Sequence, residues 1–448
     1  MARVEIGRAA VHFRGLDGKP LSKVLGQLDA LEIVDRPLRH IIINDARIQR
    51  IDNAALSEWG GGVVDASGRT PDFARLERAG LDCVRPRPDD DNFEPQTELD
   101  AAIFGGVCFA GYGHILLESL ARIWAADLDP AAPILFLQRK RVKPTEEILI
   151  AAATLLGIDP VRLMFLEGDA ICRRLILPEP GIRLEMSVNR QHFDFIARRL
   201  ALRRNSAPKP AEPPIYLSRS GLTHHHRRPF GEAVLETALE RQGQQIIHPE
   251  RLSLPEQVLL FDRADAFAGF IGSQFHNLIF RVRPEPVKIV YFCGETPSLN
   301  FVLLDALFPG ERHYVKATSF APLFEFGNRA PFCVDFDAIR DCADLLEVDR
   351  RALEALAIDA ASRSAFAENW FENYFYHKVL RNISVSAEMS ESERHRIFCE
   401  RMDSLLRRRF DGPHARIALD QFERVLEKSD LLASSVTRTY RDALAARG

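Results

Sequence analysis

The stretch at residues 265–281, D-A-F-A-G-F-I-G-S-Q-F-H-N-L-I-F-R, constrains the fold more than any other part of the chain. Its apolar first part ends in Gly-Phe-Ile-Gly, which is typical of a buried strand that opens into a tight turn. After Gly272, apolar residues recur at helical spacing, with Ser273 as the expected N-cap and His276 and Asn277 on an exposed first turn. Free N–H groups at a helix N-terminus attract anions, so the stretch predicts an anion site. The alternative is an ordinary strand–turn–helix unit without a ligand.

Strands and helices alternate on both sides of a proline-rich linker at residues 205–214, N-S-A-P-K-P-A-E-P-P. The alternation predicts an α/β fold with mainly parallel sheets. A chain of 448 residues is too long to fold around a single hydrophobic core. We therefore expect an α/β domain at 1–205, a second at 206–330, and a helical C-terminal region at 331–448 that packs back on them. Two such domains would face a cleft, where ligands bind at the carboxyl ends of strands.

Composition narrows the functional class. The net charge of −4 offers no bulk attraction to nucleic acid, so we expect no nucleic-acid partner. The seven cysteines are scattered without a C-x-x-C pair, as in a reducing cytoplasm. The N-terminus lacks the apolar core of a secretory signal, and no apolar run reaches the ~18 residues of a membrane span. We expect a cytoplasmic protein; peripheral attachment at the inner face of the membrane and a homodimer stay open.

A polar stripe follows the Gly-Tyr-Gly turn at residues 111–113. His114, Glu118 and Arg122 recur at i, i+4 and i+8 on one side of a helix predicted over 114–127. His and Glu at this spacing can share a proton, and a nearby arginine can hold the carboxylate ionised. The stripe begins after a strand and a turn, which places it at the carboxyl end of the sheet. The alternative is a solvent-exposed helix face with a charge pair.

Positive charge concentrates behind the first strand after the linker. This strand ends at Ser218 and Arg219, and the next loop carries three histidines at 224–226 and then Arg228, before a helix with Glu232. Arginine is suited to bidentate contact with phosphate. Three adjacent histidines in a loop rarely converge on one ion, and no second ligand pair has the right spacing nearby. We therefore expect no metal site here.

Four segments, taken in order, resemble the family 61 glycosyltransferases, in the bacterial form that builds capsular and other cell-surface polysaccharides. The first is residues 113–124, G-H-I-L-L-E-S-L-A-R-I-W, which is similar to the family's histidine, three apolar residues and an acidic residue. The second is residues 216–219, a strand that ends in Ser-Arg.

The other two segments follow the linker. Arg228 and Glu232 stand where the family has a basic residue and a glutamate, although Gly231 replaces the family's asparagine. Residues 249–257, P-E-R-L-S-L-P-E-Q, are similar to the family's most recognisable run, together with Ala264, Gly269, Gly272, Asn277 and Phe280. The eukaryotic-like form has Pro-His-Gly-Ala-Gly where this chain has F-I-G-S-Q, so a histidine is missing there.

The resemblance implies a GT-B fold, in which two Rossmann-like α/β domains face a cleft, and an inverting reaction without a divalent metal or other cofactor. It implies that the second domain holds a nucleotide-sugar, with a UDP-linked sugar as the first candidate. The diphosphate would lie between Arg219, Arg228 and the helix N-terminus at Gly272 and Ser273. These groups would stabilise the charge on the leaving diphosphate.

The same resemblance assigns the acceptor, a glycan or lipid-linked saccharide, to the first domain. Glu118 is the first candidate for the base that takes the proton of the attacking hydroxyl, and His114 is the second. The remaining candidate substrate-binding residues are Arg122, Ser218, Glu232, His276 and Asn277.

Three other functions stay open from the sequence. A donor such as a CMP-linked sugar would need much the same basic site. A catalytically silent, transferase-like subunit of a polysaccharide assembly complex would bind glycan or nucleotide without turnover. A dinucleotide oxidoreductase is the weakest alternative, because the chain lacks the glycine fingerprint of that fold.

Overall fold

The computed structural model describes residues 2–16, 18–52, 59–78, 81–82, 84–85, 93–109, 111–138, 146–202, 214–222, 228–294, 297–320, 332–359 and 362. The fold is mixed α/β, as predicted. The chain divides into two compact units. The first consists of residues 1–217 and 244–316, and the second of residues 218–243 and 317–448. Apart from residue 362, the helices predicted after residue 359 lie outside the described residues.

The strands are, in chain order, β1 (Ala2–Ile6), β2 (Ala9–Arg14), β3 (Glu32–Val34), β4 (His40–Asp52), β5 (Trp59–Val64), β6 (Glu77–Arg78), β7 (Leu81–Asp82), β8 (Val84–Arg85), β9 (Pro95–Val107), β10 (Ile134–Leu137), β11 (Leu163–Leu166), β12 (Asp169–Pro178), β13 (Ile182–Arg183), β14 (Ser187–Asn189), β15 (Ile215–Leu217), β16 (Gln245–Ile247), β17 (Ala266–Phe270), β18 (Lys288–Cys293), β19 (Gly310–Lys316), β20 (Thr318–Phe320) and β21 (Phe332–Val334).

The α-helices are α1 (Gly18–Leu28), α2 (Tyr112–Leu117), α3 (Glu146–Leu155), α4 (Arg190–Ala201), α5 (Glu232–Arg241), α6 (Leu254–Arg263), α7 (Leu299–Asp305), α8 (Phe336–Arg340) and α9 (Ala343–Leu346). The 3₁₀ helices are Asp72–Ala74, Ser119–Asp127, Pro160–Arg162, Pro249–Arg251, Ser273–Phe280 and Arg350–Leu353.

The first unit contains a seven-stranded sheet in the order β1-β2-β19-β18-β17-β15-β16. All neighbours in it are parallel except β1 and β2, which form a hairpin. β15, β17 and β18 are mostly apolar and almost wholly buried, as strands covered on both faces are. The parallel arrangement predicted for residues after the linker is therefore present. The hairpin from the start of the chain joins the same sheet, which the sequence does not indicate.

A second seven-stranded sheet in this unit has the order β11-β10-β9-β12-β4-β5-β8. β9 lies near its centre and pairs in parallel with both β10 and β12. β12 in turn pairs antiparallel with β4, and β4 with β5, so this sheet is mixed rather than mainly parallel.

One contiguous hydrophobic core serves both sheets of the first unit. It includes Phe104 and Ile176 from the mixed sheet and Ile289 and Tyr314 from the parallel sheet. The domain boundaries predicted at residues 205 and 330 fall within 203–213 and 321–331, which lie outside the described residues. They stay predictions, as does the GT-B arrangement.

The second unit contains α5, the antiparallel pair β20–β21, α8, α9 and the 3₁₀ helix Arg350–Leu353. Phe230 exchanges two 2.9 Å backbone hydrogen bonds with β21, one with Phe332 and one with Val334, and Gly231 follows at φ 94° before α5 begins. The sequence pattern predicts long helices over 337–346 and 350–370. The first is divided into α8 and α9, and within the described residues the second is only the 3₁₀ helix Arg350–Leu353.

Within the described residues, every helix is too short or too polar to cross a membrane.

Candidate active site

The polar stripe of the sequence lies on two short helices rather than one. α2 begins after Gly111 and ends at Leu117, and a 3₁₀ helix continues from Ser119 to Asp127. Glu118 lies at the junction between them, with φ −114° and ψ −45°. Both helices bury most of their apolar side chains in the core of the first unit. The helical prediction for 114–127 therefore holds, with a break at the candidate base.

His114 and Glu118 form a direct pair. Nδ1 of His114 lies 2.5 Å from Oε2 of Glu118. The Glu118 side chain is only 3% exposed, whereas 49% of the His114 side chain is exposed. The pair thus joins a buried carboxylate to an imidazole that reaches solvent.

Arg78 holds the buried carboxylate from its other side. Its Nε donates to Oε1 of Glu118 at 2.7 Å and its Nη2 donates to Oε2 at 2.8 Å. The Arg78 guanidinium also lies 5.2 Å from the ring centre of Phe109, and that ring lies 5.6 Å from the ring of His114. No spacing in the sequence signals the Arg78 contact, because β6 and β7 bring Arg78 to Glu118 from 40 residues away.

Arg122 is buried and does not take the role expected of it. Its guanidinium donates to the carbonyl oxygens of Phe73 at 2.7 Å, Pro178 at 3.2 Å and Arg75 at 3.3 Å. Burial lowers the pKa of Arg122 to about 10; the positive charge of Arg183 adds to this, and Glu118 opposes it. In the described structure Arg78, not Arg122, bonds Glu118. The alternative of a solvent-exposed stripe is wrong for Glu118 and Arg122, which are both buried.

A small pocket lies beside Glu118 and Arg122. Its lining includes Glu77, Ile182 and Arg183. Arg183 and Glu77, both in this lining, form an ion pair of 3.6 Å. Charged side chains therefore share this pocket with Glu118.

The 3₁₀ helix Ser273–Phe280 follows the turn at Gly272, as the sequence predicts. Gly272, not Ser273, is its N-cap, and its φ of −178° is extended backbone that any residue adopts. His276 and Asn277 are buried rather than exposed, because the helix packs against α2, α4, α6 and α7. Burial on several sides leaves no solvent-facing first turn at these positions.

Asn277 belongs to a buried amide network with two residues that the site prediction left out. The Tyr112 hydroxyl lies 2.6 Å from Oδ1 of Asn277 and 3.1 Å from Oε1 of Gln257. Nδ2 of Asn277 donates to Oε1 of Gln257 at 2.8 Å, and Nε2 of Gln257 donates to the Pro249 carbonyl at 3.0 Å. Burial raises the pKa of Tyr112, so the phenol stays protonated and can donate. The sequence signals for these two residues are the Gly-Tyr-Gly turn, which contains Tyr112, and the 249–257 run, which ends at Gln257.

His276 is a buried imidazole beside the start of α2. Its ring stacks on Phe301 at 4.6 Å, and neither ring nitrogen has a hydrogen-bond partner among the described residues. Burial lowers its pKa to about 3, and the charge of His114 adds to the shift. A Cβ on Gly113 would lie 2.6 Å from Nδ1 of His276 and 3.1 Å from Cβ of Ser273. The bare backbone of Gly113 thus lets the two helices approach.

The other predicted residues belong to the second unit, where they form a turn. The Ser218 hydroxyl bonds Glu236, and the Glu232 carboxylate accepts the Arg219 backbone N–H, with 3.1 Å to each oxygen. Nε of Arg228 donates to the Leu222 carbonyl. Ser218 and Glu232 are fully buried, so they hold the turn that carries Arg219. The histidines at 224–226 lie outside the described residues.

The structure therefore groups the predicted residues by unit. The first unit contains His114, Glu118, Arg122, Gly272, Ser273, His276 and Asn277, and the second contains Ser218, Arg219, Arg228 and Glu232. Across the described ranges, no three His, Cys, Asp or Glu side chains come close enough to hold one metal ion.

Comparison with known proteins identifies the region that contains these residues. Residues 112–290 match the family model described as Glycosyltransferase 61. The matched range begins at Tyr112 and includes every predicted site residue, whereas Arg78 lies before it. No curated protein matches the chain. The chain thus carries a Glycosyltransferase 61 domain at residues 112–290, and it is a glycosyltransferase.

Proposed function

We propose that this glycosyltransferase moves a sugar from a nucleotide-sugar to a hydroxyl of a glycan or lipid-linked saccharide, with inversion at the anomeric carbon and without a divalent metal. The UDP-linked sugars are the first donor candidates. The observation that carries the proposal is the 2.5 Å contact between His114 and Glu118 inside the family-matched region.

A transfer of this kind needs a base at the acceptor hydroxyl. As the hydroxyl oxygen attacks the anomeric carbon, its proton must move to a protein group. An imidazole paired with a carboxylate is suited to this task, because the carboxylate orients the ring and stabilises the imidazolium that forms. The half-exposed His114 ring and the buried Glu118 carboxylate supply these two groups.

The transfer also needs positive charge at the leaving diphosphate. Arg219 and Arg228 supply it in the proposal, together with the backbone N–H groups after Gly272. In the second unit, the hydrogen bonds that order the turn with Arg219 support this part of the proposal. Glu232 fixes the Arg219 backbone N–H, and Ser218 donates to Glu236 within the same turn. Fixed cations of this type stabilise developing negative charge without reorganisation.

A GT-B arrangement would bring donor and acceptor sites to one cleft. We assign the reaction to cell-surface polysaccharide synthesis from the resemblance in sequence, with the enzyme in the cytoplasm or at the inner face of the membrane.

A thermal-shift panel of nucleoside diphosphates and nucleotide-sugars, run with EDTA, tests the proposal. A ligand that binds only the folded protein stabilises it by about 2.7 kcal/mol at a hundredfold excess over its Kd. We expect a shift with UDP or a UDP-sugar that EDTA leaves unchanged. A shift that EDTA abolishes would contradict metal independence, and a shift with CMP compounds alone would change the donor. No shift with any nucleotide would contradict the donor site and favour a silent glycan-binding subunit.

A further inference from the structure

Arg78 lies outside the family-matched region, yet it makes two hydrogen bonds to the candidate base Glu118. These bonds determine whether Glu118 or His114 can contact a substrate. Oε1 of Glu118 accepts from Nε of Arg78, and Oε2 accepts from Nη2 of Arg78 while lying 2.5 Å from Nδ1 of His114. Both carboxylate oxygens are therefore engaged by protein groups, on a side chain that is 3% exposed.

The His114 ring has the opposite character. Its Nδ1 faces Glu118, its side chain is 49% exposed, and Nε2 meets no hydrogen-bond partner among the described residues. When Nδ1 of a neutral His114 ring donates to the Glu118 carboxylate, Nε2 carries the lone pair. That nitrogen, on the half-exposed ring, is the base of the pair that an acceptor hydroxyl would approach.

We propose that Arg78 is a positioning residue of the transfer reaction, and that it holds Glu118 against Nδ1 of His114 so that Nε2 of His114 takes the proton of the acceptor. This inference rests on the proposed function. Glu118 is then a second positioning residue, and His114 is the catalytic residue. The order reverses the sequence-based prediction, in which Glu118 was the first candidate for the base.

The step balances in atoms and charge. The acceptor oxygen forms a bond to the anomeric carbon, and its proton passes to Nε2 of His114. The bond between the anomeric carbon and the diphosphate oxygen breaks, and its electron pair leaves with the nucleoside diphosphate. The resulting imidazolium lies beside the Glu118 carboxylate, whose position Arg78 fixes with a planar, bidentate guanidinium.

The ring of Phe109 completes the arrangement. It lies 5.2 Å from the Arg78 guanidinium and 5.6 Å from the His114 ring. One aromatic side chain therefore contacts both residues that bond Glu118. Arg78 and His114 are thereby held at fixed positions by a shared neighbour in addition to Glu118.

Release of nucleotide from a nucleotide-sugar with water as acceptor tests the inference, because it needs no knowledge of the natural acceptor. The substrates are UDP-sugars and CMP-sugars, and the measured quantities are kcat and KM. We expect Arg78→Gln to lower kcat about 10²-fold with little change in KM, as a misplaced catalytic group does. Arg78→Lys should recover part of the loss. His114→Ala should lose about 10²- to 10⁴-fold, and added imidazole should restore part of it.

Arg36 provides the matched control. It also makes a bidentate contact to a carboxylate of the first unit, with 2.8 Å and 2.6 Å to Glu179. Arg36→Gln removes a second bidentate arginine–carboxylate contact, although Arg39 still contacts Glu179, and it should leave kcat unchanged. A fall in kcat for Arg36→Gln as large as that for Arg78→Gln would overturn the positioning role, since general destabilisation would then explain both.

Arg78→Gln leaves a buried carboxylate without its cation and could fail to fold. The double variant Arg78→Gln/Glu118→Gln removes both charges, and we expect it to fold and to have the low kcat of Glu118→Gln. Near-normal kcat in the folded Arg78→Gln or in the double variant would overturn the inference while leaving the transferase proposal intact, as would near-normal kcat in His114→Ala. No nucleotide release by the wild-type chain would overturn the proposed function and the inference with it.

Discussion

The hydroxyl of Tyr112 lies 2.6 Å from Oδ1 of Asn277, and this contact ties α2 to the 3₁₀ helix Ser273–Phe280. The two residues are 165 positions apart in the chain. Tyr112 is two positions before His114, so the contact fixes the start of the helix that carries the candidate catalytic residue. The candidate site therefore depends on a hydrogen bond between two residues that are far apart in the sequence.

We expect Tyr112→Phe to destabilise the protein by about 1–3 kcal/mol, because a buried amide oxygen then loses a donor. Denaturant unfolding measures the loss. A double-mutant cycle with Asn277→Ala separates the hydrogen bond from other effects, and the two changes should cost less together than the sum of each alone. Strictly additive costs would contradict the contact.

Gly113→Ala should destabilise the protein by about 1–3 kcal/mol, because the new methyl group would lie 2.6 Å from Nδ1 of His276 and must displace it. Gly26→Ala is the matched control. Gly26 also lies in a helix, and a Cβ there meets no atom within 4 Å, so alanine should stabilise α1 by about 0.5–1 kcal/mol. In the His276→Ala background, the cost of Gly113→Ala should largely disappear. Equal stability changes at the two glycines would contradict the close packing.

Acid stability should depend on His192, which is fully buried. Burial lowers its pKa to about 3 from an ordinary 6.5, so the folded protein holds it neutral while the unfolded chain binds a proton below pH 6.5. The stabilisation is present above pH 6.5 and is lost as the pH falls towards 3, with a slope of about 1.4 kcal/mol per pH unit. His192→Gln should reduce that slope in urea titrations between pH 6 and 4. Parallel curves for the variant and the wild type would show that His192 does not contribute.

On the donor side, Arg219→Ala should weaken binding of the nucleotide-sugar about tenfold or more, as loss of a charged phosphate contact does, while the fold stays stable. Glu232→Gln should weaken it less, because an amide oxygen can still accept the Arg219 backbone N–H. Arg241→Ala, at the exposed end of α5 in the same unit, is the control and should leave affinity unchanged. Isothermal titration with the nucleotide that shifts the melting temperature most gives the Kd values. Unchanged affinity in Arg219→Ala would remove it from the donor site.

Local signals in the sequence predicted several elements within one residue. The apolar spacing and Pro255 at a first turn predict a helix over 254–264. The helix is α6, Leu254–Arg263, and it begins where Ser253 and Glu256 form a capping box. The apolar run V-K-I-V-Y-F predicts a buried strand over 287–292, and β18 spans Lys288–Cys293. In such cases the apolar period and the cap lie in one continuous segment, so no distant contact is needed to define the element.

The features that the sequence missed depend on distant contacts. The Arg78–Glu118 contact requires the β6–β7 hairpin to pack beside α2, and no periodicity in either segment encodes that. His276 has the polarity of an exposed first-turn residue, but the Phe301 ring and the Gly113 backbone enclose it. Arg122 has helical spacing to Glu118, yet the carbonyl groups of Phe73 and Pro178 bind it instead. Spacing predicted which residues share a helix side, but not which partner each side chain would find.

The strand order of the parallel sheet has a consequence for the time course of folding. β2 is hydrogen-bonded to β19, with Val11 opposite Arg312, so the third strand of that sheet leaves the ribosome about 300 residues after the second. Pairing over such a sequence separation is slow because a long loop must close first. During synthesis the β1–β2 hairpin therefore has an unpaired edge until β19 is made. We expect this edge to be where the nascent chain most needs protection from aggregation.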